Sequence, residues 1–366
     1  MGRLHELHER YDQSPWLDNL KRGWLTSGEL ARWVEQGVRG LTSNPTIFQK
    51  AIADSPDYDE QFGDLVGAGR TVEETYWELV TTDIESALDV LRPVHESSDG
   101  VDGKVSVEVD PGLAHDTAGT EAAARQLWTG IDAPNLLVKI PATDAGLPAI
   151  EASIAAGISV NITLLFSLDR YRAVMEAYLA GLEAFVAGGG DPARVASVAS
   201  FFVSRVDSNV DARLDALGTP EAAALKGKAA VANAQLAYQA HLEVFAGPRW
   251  DALAAAGARP QRPLWASTST KDPSYPDTLY VDTLIGPGTV NTLPDATLEA
   301  FDDHGTLART VDADPDGARR VVTDLAELGI DLEDVATTLE AEGVASFEKS
   351  FDDLLGTLSA KAERFA

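Results

Sequence analysis

Short apolar and β-branched runs recur along the chain at 16–20, 37–41, 105–109, 136–140, 160–165, 195–203, 264–267 and 279–284, and each predicts a strand. Between most of them, at 73–91, 120–128, 147–156, 168–187 and 219–245, apolar residues return at three- and four-residue steps, the period of a helix packed on one side. Strand alternating with helix implies parallel pairing. Eight such units in 366 residues, with no low-complexity linker, fit one α/β domain over 1–366, a (β/α)8 TIM barrel, better than two doubly wound domains. The stretch 211–263 is long for one crossover and predicts a helical extension, and a helical C-terminal segment follows over 296–366. Patches rich in Gly and Pro at 188–192, 247–248, 257–263 and 286–288 predict turns.

Alternate residues of a barrel strand point inward and the others face the helices. In 136–140 the set Leu136, Val138 and Ile140 suits the helix side, which turns Lys139 inward. The same parity sends three valines of 105–109 outward and Ser106, Glu108 and Asp110 inward, and turns Asn161 and Thr163 inward from 160–165. Asp18 shares a side with Trp16 and Leu20, while Gly40, Thr42 and Asn44 share another. A lone Lys–Glu pair inside a barrel would serve equally well as an ion pair kept for structural specificity. A lysine with two carboxylates, two Asn and two Thr at or near the carboxyl ends of strands points instead to a site, because barrel enzymes place their chemistry there.

Those residue types suggest carbonyl chemistry. Burial disfavours an ammonium ion, a free amine condenses with a ketone, and Asp or Glu supplies the proton transfers that a Schiff base requires. Lys139 with Glu108 and Asp18 is a sufficient set without a metal. The chain has no cysteine, which removes thiolate zinc sites, iron–sulfur clusters and cysteine nucleophiles. Its six histidines show no paired spacing and are expected at the surface or in loops, and neither a Walker loop nor a strand-linked dinucleotide fingerprint appears. Asp110 and Glu108 offer a weaker Mg²⁺ reading.

Charge narrows the partners. With 29 Lys and Arg against 58 Asp and Glu the net charge is −29, so neither nucleic acid nor an anionic membrane surface is an expected partner. The start MGRLHELHER lacks the apolar stretch of a secretory signal, and no window holds the roughly 18 apolar residues of a membrane helix, so a cytoplasmic protein is expected. Nine lysines in all make each one worth inspecting.

Five segments resemble the transaldolase family. They are GLTSNPTIF from Gly40, VSVEVDP from Val105, VKIPAT from Val138, VNITLLFS from Val160 and ASFFVSR from Ala199, in barrel order and at barrel spacing. The resemblance implies a Schiff base between Lys139 and C2 of a ketose phosphate, with Asp18 accepting the C4 hydroxyl proton. It further implies that Glu108 works with Thr163 and a bound water on the imine, that Asn44 and Asn161 hold substrate hydroxyls, and that Thr42, Ser200 and Phe202 line the pocket. Arg205 matches the family's phosphate-binding Arg after the sixth strand. Where the family commonly has Ser-Phe-Arg after the seventh, this chain reads Ala266-Ser267-Thr268-Ser269-Thr270-Lys271, and Lys271 is the candidate second cation. No cofactor is implied, since the imine is itself the electron sink.

The implied activity is transfer of a dihydroxyacetone unit from sedoheptulose 7-phosphate or fructose 6-phosphate to glyceraldehyde 3-phosphate or erythrose 4-phosphate, in a monomer or homodimer. A fructose 6-phosphate aldolase-like activity, or a non-catalytic barrel that binds sugar phosphates, are the alternatives. At about 0.15 M salt the Debye length is about 8 Å, so distant carboxylates repel a phosphate little. One cation ~4 Å away contributes on the order of 4 kcal/mol at an effective dielectric of 20.

Overall fold

The computed structural model describes residues 2–53 and 55–363. Eight parallel strands close into a barrel in chain order: β1 Gln13–Leu17, β2 Gly40–Thr42, β3 Lys104–Glu108, β4 Leu136–Pro141, β5 Val160–Leu165, β6 Ser197–Phe202, β7 Arg262–Ala266 and β8 Thr289–Leu293. Helices join the strands, as parallel pairing requires. The chain is thus the (β/α)8 barrel that the alternation predicts.

Three strands lie elsewhere than expected; the second begins three residues late, at Gly40. The first begins three residues early, at Gln13, because polar Gln13 and Ser14 are buried partners: Gln13 Nε2 donates to Thr289 Oγ1 (2.9 Å) and Leu284 O (2.8 Å). Asp18 consequently stands just past the end of β1, its amide bonded to Leu293 O. The eighth is not 279–284. That run contains the short helix Leu279–Asp282, and the chain turns through Gly288 into β8, whose Thr289, Asn291 and Thr292 conceal it from an apolar count. These polar residues are buried because they face other strands and the barrel interior, where a hydroxyl or amide can be satisfied.

The interior is layered. At the amino ends of the strands, Asp102 accepts from Arg39 Nε (2.6 Å), Ser14 Oγ (2.8 Å), Arg262 Nη1 (3.0 Å) and Trp16 Nε1 (3.3 Å), a polar plug that ties β1, β7 and the approaches to β2 and β3 together. Burial would raise this carboxyl, but Arg262 and Arg39 outweigh it and hold the pKa at about 2. Above the plug Trp16 fills the centre, packed so closely on Gly40 that no Cβ fits there. The opposite parity set, including Val105, Val107, Leu136, Val138, Ile140, Val160 and Ile162, is buried in the core.

Four helical pieces, Ser204–Leu217, Pro220–Ala223, Ala229–Val244 and Pro248–Ala255, occupy the long connection between β6 and β7. After β8 come Asp295–His304, Pro315–Glu327 and the 31-residue C-terminal helix Leu332–Ala362. This last helix packs on Pro45–Ile52, Val72–Ser97, Ser204–Leu217 and β5, so it lies over the carboxyl-end loops of the barrel.

Candidate active site

Adjacent strands place the polar residues side by side. Glu108 on β3 is in register with Lys139 on β4, and Lys139 with Asn161 on β5, so all three share the inward face at one height. Lys139 Nζ lies 2.9 Å from Glu108 Oε2 and donates to Ser43 O at 3.1 Å. Both side chains are buried, lysine 5% and glutamate 2% exposed, so the pair is shielded from bulk water. Burial pushes the Glu108 carboxyl above its ordinary value, and the Lys139 ammonium opposes that push.

Of these three, Lys139 opens onto a cavity of about 560 Å³ at the carboxyl ends of the strands, while Glu108 and Asn161 are not part of its wall. Lys139, Asp18, Thr42, Asn44, Thr163, Ser200, Phe202, Arg205 and Lys271 all line it. Asp18 accepts from Thr42 Oγ1 (2.8 Å), which in turn meets Thr292 Oγ1 at 2.7 Å. Burial pushes the Asp18 carboxyl up, against Lys139, the Thr42 hydrogen bond and Arg205. Thr163 Oγ1 and Glu108 Oε1 are buried oxygens with no hydrogen-bond partner among the described residues.

Three expected residues sit differently. Asn161 does not line the cavity; its amide donates to Ser106 Oγ (2.9 Å) and accepts from Ser200 Oγ (2.7 Å), so it braces the floor beneath. Asn44 lines the wall but also caps the helix Pro45–Ile52, its Oδ1 accepting from Ile47 N at 3.0 Å, so its amide group is the end left for a ligand. Asp110 lies past the end of β3, caps the turn Pro111–Leu113 through Gly112 N (2.8 Å) and stands away from the cavity. Parity ceases to apply once the strand has ended.

Arg205 and Lys271 add positive charge to the cavity wall. The Arg205 guanidinium has no hydrogen-bond or ion-pair partner among the described residues and lies 5.3 Å from the Phe202 ring. Lys271 Nζ donates to Ser269 Oγ at 2.7 Å. Partial burial and the charge of Arg205 push the Lys271 ammonium down, and Lys50 adds to this. Two non-glycine residues near the cavity adopt left-handed backbone: Leu164, at an irregularity in the β5–β6 register, with φ 59°, and Ser267 with φ 57°. Ser267 Oγ lies 2.9 Å from Ser204 Oγ, joining the β7 end to the start of the helix that carries Arg205. Such strain costs on the order of 1–3 kcal/mol per residue and tends to collect at functional sites.

Sequence reasoning missed Lys21, Lys50, Thr292, Asp295, Ser346 and Phe347, all on the cavity wall. Thr292 and Asp295 escaped because β8 was misplaced. Ser346 and Phe347 come from the C-terminal helix, where an inward aromatic has the same periodic signature as any core position. The histidines were misjudged in part. His241 is buried on the helix Ala229–Val244, where desolvation brings it down to about 4, and it stacks on Tyr238. His8 and His95 are half-buried on helices, His95 Nδ1 meeting Asp102 O at 3.1 Å. Among the described residues no group of three or more His, Asp or Glu is placed to hold a metal ion.

A sequence model of the family described as Transaldolase/Fructose-6-phosphate aldolase matches residues 15–358. Curated relatives include proteins named Transaldolase from Thermobifida fusca, 58% identical over 93% of each chain, and from Parafrankia sp. strain EAN1pec, 57% identical over 94% of each. Transaldolase 2 of Streptomyces avermitilis is 54% identical over 96% of this chain and 95% of its own.

Proposed function

The chain belongs to the transaldolase/fructose-6-phosphate aldolase family, and from that premise we propose that its barrel transfers a dihydroxyacetone unit between sugar phosphates through a Schiff base on Lys139. The observation that carries this reading is Lys139, paired with the buried Glu108, opening onto one cavity with the unpaired guanidinium of Arg205. The ring of Phe347 is 5.6 Å from Lys139 Nζ and 6.0 Å from Arg205 Cζ, so the two cations lie within about 12 Å. A ketose phosphate spans that separation, with C2 at the amine and phosphate at the guanidinium.

Each step then falls to a placed group. Lys139 gives its proton to Glu108, whose raised affinity suits a residue that takes and returns protons, and the free amine adds to C2. Loss of water gives the imine, which draws electrons from the C3–C4 bond while Asp18 takes the C4 hydroxyl proton. The aldehyde leaves and the three-carbon enamine remains on the lysine. Reversal with a second aldehyde completes transfer, and hydrolysis uses a water held between Glu108 and Thr163, each with a buried oxygen free to bind it. Asn44, Ser200 and Thr42 hold hydroxyls, Asn161 orients Ser200, Phe202 packs under Arg205, and Lys271 adds a second positive charge at the phosphate.

The fructose 6-phosphate aldolase-like alternative shares barrel and lysine but releases free dihydroxyacetone; Glu108 beside the lysine favours transfer. The same reading makes the protein cytoplasmic, in keeping with the finding that no described helix is long and apolar enough to cross a membrane. The test is reduction with borohydride in the presence of fructose 6-phosphate, followed by peptide mapping. A dihydroxyacetone adduct on Lys139, absent from Lys139→Ala, is expected; label on another lysine would overturn the assignment.

A further inference from the structure

One apolar group beside the reactive amine comes from the C-terminal helix. Around Lys139 the strands supply Glu108, Ser43 O, Asn161 and Thr163, all polar. Phe347, 3% exposed, lines the same cavity, with its ring 5.6 Å from Nζ. The helix that carries it is fixed on both sides. Ser350 Oγ meets Thr46 Oγ1 at 2.8 Å, and Phe351 packs edge-on against Tyr76 at 5.1 Å. On the other side Gly343 lies so close to Leu164 that a Cβ would come within 2.8 Å of Cδ2. The helix that carries the ring is thus tied to three separate elements.

We propose that Phe347 is a positioning residue that shields the Lys139 enamine from proton donors, and so sets the partition between transfer and release of free dihydroxyacetone. The proposal rests on the Schiff-base reading above. The enamine has two fates. Its terminal carbon attacks the acceptor aldehyde with the electron pair of the C=C bond, forming the new C–C bond, while the aldehyde oxygen takes a proton and nitrogen becomes the iminium. Alternatively that carbon takes a proton from water; hydroxide then adds to C2 of the iminium, and the amine leaves as dihydroxyacetone is freed. Both fates use the same lysine, carboxylates and substrate contacts. They differ in whether water reaches the carbon, and an apolar group beside it acts on that difference.

The experiment measures two rates for each protein: transfer from fructose 6-phosphate to erythrose 4-phosphate, and release of dihydroxyacetone from fructose 6-phosphate without acceptor. In Phe347→Ala the ratio of release to transfer should rise at least tenfold while borohydride still traps the adduct on Lys139. Phe347→Leu keeps the apolar cover without the π face, and its ratio should stay within threefold of the unaltered protein. Should the alanine variant not fold, Phe347→Val carries the same test with an expected rise of at least threefold. An unchanged ratio with both rates lowered together, or loss of the trapped adduct, overturns the proposal. So does an equal rise in Leu and Ala, which would assign the effect to the charge–π contact. Absence of transfer and trapping in the unaltered protein would instead sink the Schiff-base reading on which it stands.

Discussion

Trp16 occupies the middle of the barrel because Gly40 on the neighbouring strand has no side chain; a Cβ there would lie 2.5 Å from the indole. Neither β1 nor the indole can retreat, since Trp16 Nε1 is bonded to Asp102 and β1 is paired on both sides. Gly40→Ala should therefore lower the urea midpoint at unchanged m, by about 1–3 kcal/mol of overpacking. A second prediction concerns Asp18. It must be ionised to accept a proton, and burial raises its pKa, so the acid limb of kcat/KM should lie above the ordinary carboxylate value of about 4. The Thr42 hydrogen bond lowers that pKa, so Thr42→Val should move the limb to higher pH, and a limb that stays put would exclude Asp18 as the group it reports. Strand parity was enough to put Lys139 and Glu108 on the inward face of neighbouring strands, because period two is fixed by backbone geometry. It misjudged Asp110, which follows the strand, and it could not show that Asn161 spends its amide on Ser106 and Ser200.

At the level of elements, the amino ends of the strands are held by charge and the carboxyl ends carry the site. Asp102 is shared by Arg39 and Arg262, and among the described residues neither arginine has another carboxylate partner. Asp102→Asn leaves two partly buried guanidinium groups uncompensated and should cost about 3–5 kcal/mol at pH 7. The sign with pH is set by the depressed pKa of about 2. Stability from this carboxylate is fully present above its unfolded value of about 4 and is lost as pH falls towards 2. The gap between the two proteins in denaturant unfolding should accordingly narrow between pH 5 and pH 2. The eighth strand shows where element prediction fails. Leu279, Tyr280 and Val281 carry the apolar signal but form a short helix, and the Tyr280 hydroxyl donates to Asp207 at 2.8 Å. Thr289–Leu293 has the weaker signal, and its pairings with Gln13, Leu264 and Trp265 exist only because the barrel closes there.

The whole molecule carries −29 charges, while Lys21, Lys50, Arg205, Lys271 and Lys139 all face one cavity. A phosphate substrate thus meets long-range repulsion and short-range attraction, and salt separates them. Between about 0.01 M and 0.15 M the Debye length falls from about 30 Å to about 8 Å, which removes the distant term first. KM for fructose 6-phosphate should therefore fall over that interval and rise again towards 1 M, where the Debye length of about 3 Å screens the local cations too. An unphosphorylated ketose should show neither change, and a monotonic rise for the phosphate would refute the balance. Closure of the cavity is also a property of the whole. The C-terminal helix reaches back over strands laid down some 200 positions earlier, tied by the Lys361–Asp59 and Arg213–Asp334 ion pairs at its ends.

By itself the sequence determined the alternation of strands and helices, the parity that turns Lys139 and Glu108 inward, and the local motifs that carry the family. All of these depend on neighbours within a few residues, where backbone periodicity and turn chemistry act. Tertiary structure decided where β1 and β8 begin, which of Asn44 and Asn161 lines the cavity, and which aromatic ring lies beside the buried amine. Those outcomes depend on pairings across tens to hundreds of residues, and an apolar residue such as Phe347 has the same local signature whether it meets a core or a buried lysine.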